Sequence, residues 1–146
     1  MRRTPLLIGW LIATVFFVRA EIPKPPVLVL TSLENGTEPQ DAFSCSGKIH
    51  GYLVLPTTAI GKHVLEGIWT KPDGTVASHS RSSLDFPAPG RSTAYVWFAF
   101  PERSLLPGVM DPAQDQERLS YSGQWRVDVR WDDQTLRQST FTVHCH

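Results

Sequence analysis

The chain has 146 residues, of which 41% are hydrophobic and 19% charged, with 12 Pro, 10 Gly and 2 Cys. That balance excludes a disordered tail, a collagen-like chain and a small disulfide-scaffolded protein. Fourteen basic side chains against fourteen acidic ones leave no net charge. A sequence-blind grip on nucleic acid therefore has no electrostatic basis, and the length suits one domain.

Residues 1–20 read as a secretory signal peptide. Arg2 and Arg3 supply the positive start, Leu6 to Val18 is an unbroken apolar run of 13 residues, and Val18-Arg19-Ala20 supplies the cleavage site. The run is shorter than the roughly 20 residues a helix needs to cross a bilayer, so cleavage is favoured over an uncleaved anchor. Arg2, Arg3 and Arg19 leave with it, and the rest of the chain holds 11 basic against 14 acidic residues, a net charge of about −3. No later stretch is long and apolar enough to form a spanning helix.

Residues 21–26 (EIPKPP) form a proline-stiffened, extended lead-in, and residues 27–146 hold the domain. Val27 to Leu30 is a short apolar run bounded by Pro and polar residues, as in a buried strand. Asn35-Gly36-Thr37 supports a turn, and in a eukaryotic secretory pathway it is also a glycosylation sequon. Phe43 to Leu55, interrupted by Gly47 and Gly51, reads as two short strands or one with a bulge. His63 to Thr70 is a clearer strand, Lys71-Pro72-Asp73-Gly74 a tight turn, and Thr75 to Ser80 the returning partner. Pro87-Ala88-Pro89-Gly90 breaks the chain before Thr93 to Phe100 (TAYVWFAF), the most hydrophobic strand. The 18 residues from Pro101 to Arg118 show no clear structure and no helical period. Trp125, Val127, Val129 and Trp131 then alternate with charged residues, Asp132-Asp133-Gln134 closes a turn, and Leu136 to Cys145 returns with Phe141, Val143 and Cys145 on one face.

About seven strands broken by Pro and Gly turns predict an all-β, two-sheet sandwich. Trp69 followed by Pro72-Asp73-Gly74, then Gly123-x-Trp125-x-Val127-x-Val129, then Phe141-x-Val143 resembles an immunoglobulin-like domain of the kind bacteria export. The resemblance covers most of residues 27–145 and implies a fold without naming an activity. Antibody-type domains place their two Cys closer in sequence than Cys45 and Cys145, which is a departure from that pattern.

In a chain addressed to an oxidising compartment, Cys45 and Cys145 are expected to pair. The competing use is a Cu or Zn site at His144-Cys145-His146. On a strand, however, His144 and His146 point to one face and Cys145 to the other. His50, His63 and His79 have no metal-ligand spacing and read as solvated surface residues. Asp111, Asp115 and Glu117 cluster without the ligand spacing or central Gly of a calcium loop. No nucleophile elbow, phosphate-cradling Gly loop or zinc-protease helix occurs, so neither a catalytic residue nor a cofactor is expected.

Two connections are candidate contact sites. In residues 101–118, Leu105, Leu106, Val109 and Met110 flank a Pro-Gly turn; they either meet a partner or fold back as a lid. The second and weaker candidate is Ser80 to Ser92, with Arg81, Phe86 and Arg91. Of Trp69, Trp97, Trp125 and Trp131, core packing accounts for at least three. The function expected from these features is an exported, non-enzymatic module that binds another protein of the cell envelope or secreted milieu. A carbohydrate-binding module, with at least two coplanar exposed rings, is the first alternative, and a metal carrier the second.

Overall fold

The computed structural model describes residues 26–57, 60–102 and 112–146. The signal peptide, most of the lead-in, Leu105, Leu106, Val109, Met110 and Asp111 lie outside the described residues.

The chain folds as an all-β, two-layered sandwich. In order, the elements are β1 (Leu28–Thr31), β2 (Ala42–Ser44), β3 (Lys48–Thr57), β4 (Gly61–Thr70), β5 (Val76–Phe86), β6 (Gly90–Ala99), α1 (Pro112–Leu119), β7 (Gly123–Trp131) and β8 (Gln134–His144). One sheet has three strands in the order β1-β3-β6, and the other has five in the order β2-β8-β7-β4-β5. Every pairing is antiparallel except β2 with β8.

Alternation builds the core. Ile49, Leu53 and Leu55 of β3 and Ala94, Val96 and Phe98 of β6 face inward from one sheet. Leu65 and Trp69 of β4, Trp125, Val127 and Val129 of β7, and Phe141 and Val143 of β8 face them from the other. Phe98 sits between the two indoles, its ring 5.9 Å from Trp69 and 5.1 Å from Trp125. Gly67 of β4 makes room for Val96 of the facing sheet, because a Cβ there would lie 2.8 Å from the Cβ of Val96. Trp69, Trp125 and the half-buried Trp131 all pack on this core.

The turns follow their residues. At Lys71-Pro72-Asp73-Gly74 the Gly74 amide donates to the Lys71 carbonyl at 2.9 Å and Gly74 takes φ 84°. Asp73 Oδ1 also accepts from the amide and hydroxyl of Thr75. The β7–β8 hairpin turns on Asp132 and Asp133 with φ 47° and 67°, the two left-handed residues of a type I′ turn.

Of the two readings of Phe43 to Leu55, the structure has the two-strand one: β2 and β3, with Gly47 (φ 75°) between them. Three features differ from the sequence reading. There are eight strands among the described residues. Ser80 to Ser92 is not a loop: β5 continues to Phe86 and β6 starts at Gly90, because the β4 ladder extends to Gly61↔Phe86 and keeps these polar residues hydrogen-bonded. The 101–118 connection ends in a helix that runs one residue past it, Pro112–Leu119, with Pro112 in the first turn and Arg118 in the last.

Candidate interaction surface

Cys45 and Cys145 form a disulfide with Cα atoms 5.2 Å apart. It ties β2 to β8, beside the Cys45 amide that donates to the His144 carbonyl at 3.1 Å. Arg118 of α1 donates from Nε to Cys45 Sγ at 3.2 Å, which seats the helix against the bridge. The Cys145 sulfur between His144 and His146 is thus committed to a covalent bond. Among the described residues, no three His, Cys, Asp or Glu side chains gather as a metal site. Asp115 and Glu117 ride on α1.

His63 is not a solvated surface residue. Its Nδ1 lies 2.6 Å from Asp132 Oδ2 and its ring stacks on Trp131 with centroids 4.7 Å apart. Asp132 also accepts the Val64 amide at Oδ1 and donates its own amide to the Val64 carbonyl, both at 2.9 Å. The hairpin tip is therefore pinned to the start of β4. Burial pushes the Asp132 carboxyl up, but the bonds from His63 and the Val64 amide and the His63 charge outweigh it and hold the group below the ordinary carboxylate value.

The outer faces of the two sheets differ in chemistry. On the five-stranded sheet, Glu66 of β4 is only 4% exposed and stands in register between Arg81 of β5 and Arg130 of β7. Its Oε1 lies 3.4 Å from Arg81 and 3.5 Å from His79. This face is a charge ladder.

The three-stranded sheet turns aromatic side chains to solvent. Odd positions of β6 and even positions of β3 point outward, so register sets His50 opposite Trp97 and Tyr52 opposite Tyr95, with Val29 of β1 beside Tyr52. Tyr95 is 57% and Trp97 46% exposed, and Val54 extends the apolar area. His50 stacks on Tyr52 at 6.0 Å with planes 16° apart, whereas Tyr52 and Tyr95 tilt by 45°. Lys48 sets its ammonium 5.4 Å from the centre of the Trp97 ring. The Tyr52 hydroxyl accepts the Asn35 amide at 2.6 Å, which moors the turn after β1 to the edge of this face. Among the described strand positions here, the charged residues are Lys48 and Arg91, both cations. From sequence, residues 93–100 read only as the most hydrophobic strand, and His50, Tyr52, Tyr95 and Trp97 were not brought together as one surface.

No protein-family model matches the sequence, and no curated protein sequence matches it. Solved structures with a similar course of chain include the alkylpurine DNA glycosylase AlkC of Pseudomonas fluorescens bound to DNA containing an abasic site analogue. It has 14% identity and a TM-score of 0.45, over 81% of this chain and 29% of that one. A putative β-galactosidase from Bacteroides fragilis has 16% identity and a TM-score of 0.44, over 80% and 15%. The CARDB domain of a Pyrococcus furiosus protein, in complex with di-metal ions, has 9% identity and a TM-score of 0.41, over 83% and 96%. The chain thus spans less than a third of the first two. The disulfide suits an oxidising environment, and among the described residues no helix is long and apolar enough to cross a membrane.

Proposed function

We propose that the protein is an exported, non-enzymatic module of immunoglobulin-like topology that binds another protein through the aromatic outer face of β1-β3-β6. The observation that carries this reading is the adjacent exposure of Tyr95 and Trp97 on a strand position pattern that places His50 and Tyr52 beside them. Tyr and Trp anchors surrounded by polar groups are the composition of energetic centres in protein interfaces. Lys48 and Arg91 give the face a cationic border, so the partner is an apolar protein surface edged with carboxylates.

Protein is favoured over sugar by ring geometry. Stacking a sugar across several rings calls for a flat platform, but Tyr52 and Tyr95 lie 45° apart and the Lys48 ammonium stands over Trp97. The immunoglobulin-like reading is supported by the sheet order, by the parallel pairing of β2 with the last strand, and by the buried Trp69 on β4.

Photo-reactive residues replacing Val54 or Arg130, on opposite outer faces, test the site in the native compartment. A discrete protein adduct from position 54 and none from position 130 is expected. Equal adducts from both positions, or none from 54, would count against the reading.

A further inference from the structure

We propose that two copies of this chain associate edge to edge through β5, antiparallel, and join their five-stranded sheets into one continuous sheet. This goes beyond the aromatic face, which stays open in such a dimer. β5 is the last strand of its sheet, and its 11 residues present one long edge with no strand paired to it among the described residues. An edge of that length templates a further strand unless something blocks it. Shortness limits β1 and β2, with four and three residues. β5 has no Pro and no Lys along its length.

Charge selects the occupant. His79, Arg81, Ser83 and Asp85 share the outer face of β5, since Arg81 is in register with the outward Glu66. A two-fold axis through Ser83 sets Arg81 opposite Asp85 of the second copy, and symmetry repeats the pair. Oppositely charged residues directly across an antiparallel pair favour pairing, and like charges oppose it. Asp85 is exposed, and although Lys62 is its neighbour in β4, no ion pair joins them. Arg81 contacts Glu66 through one amino group while its side chain stays 62% exposed, which leaves donors for a second carboxylate. The ten-residue β6 has no such self-complementarity: its outward positions carry Arg91 and no acid.

Sedimentation of the whole chain, disulfide intact, from micromolar to millimolar concentration tests the proposal. A concentration-dependent dimer is expected, weakened by added salt as a screened ion pair should be. Asp85→Arg should reduce association by about tenfold or more, and Arg81→Asp combined with Asp85→Arg should restore it. Ser83→Lys places two ammonium groups on the axis and should abolish the dimer, with the circular dichroism of the fold unchanged. A chain that stays monomeric throughout, or a dimer indifferent to both Asp85→Arg and Ser83→Lys, overturns the proposal.

Discussion

Two fully buried indoles differ in one hydrogen bond. Trp125 Nε1 donates to the Tyr121 carbonyl at 2.7 Å, while Trp69 Nε1 is buried with no hydrogen-bond partner among the described residues. Leaving a buried donor unmade carries a desolvation penalty of about 1–3 kcal/mol, whereas a made bond contributes about 1 kcal/mol. Replacing either indole by Phe loses comparable packing, but Trp69→Phe also removes an unpaired donor and Trp125→Phe orphans an acceptor. Trp125→Phe is therefore expected to destabilise by roughly 1–2 kcal/mol more than Trp69→Phe in denaturant titrations. Equal losses would mean that Trp69 has a partner after all. In the sequence, alternation along 125–131 placed Trp125 inside, and the resemblance to an immunoglobulin-like sandwich did so for Trp69. The sequence carried no sign of their different bonding, which depends on where the Tyr121 carbonyl ends after α1.

Hairpins were the most legible elements. The alternation from Trp125 to Trp131 and the Asp132-Asp133 pair specify strand, turn and register together, since a one-residue slip would expose the whole apolar set. Other elements were hidden by their composition. Residues 112–119 form a helix of eight residues with no buried side chain, so no apolar stripe marks it. Thr93 to Phe100 is apolar on both faces, and its period of two is masked because Tyr95 and Trp97 alternate with Ala94, Val96 and Phe98. His63 looked isolated because its partner, Asp132, lies 69 residues away. That docking has a pH signature. The Asp132 carboxyl is held below its unfolded value of about 3.8, so the folded state binds fewer protons there. Its stabilisation is complete above the unfolded value and is lost as pH falls through the folded one. Asp132→Asn should flatten that part of the acid unfolding curve; an unchanged curve would show that the hairpin tip is not held by this group.

Across the whole molecule, the disulfide joins residues 100 apart and clamps the parallel β2–β8 edge. Closing a loop of that length is worth roughly 4–5 kcal/mol by the chain-entropy account. Reduction, or Cys45→Ala with Cys145→Ala, should lower the unfolding free energy by about 4 kcal/mol; a change below about 1 kcal/mol would mean the reduced unfolded chain is already compact. The two outer faces divide the surface between a charge ladder and an aromatic patch, and the patch is the one that calls for a cover. Its aromatic pair, Tyr95 and Trp97, is the anchor of the proposed contact. Binding of the partner captured through position 54 should be measured for the parent chain, Trp97→Ala and Leu106→Asp, each beside its melting temperature. Trp97→Ala is expected to weaken binding about tenfold or more, as truncating an interface anchor does, while the melting temperature holds. Parent affinity for Trp97→Ala, with the loss confined to Leu106→Asp, would contradict this expectation and move the contact to the 101–118 connection.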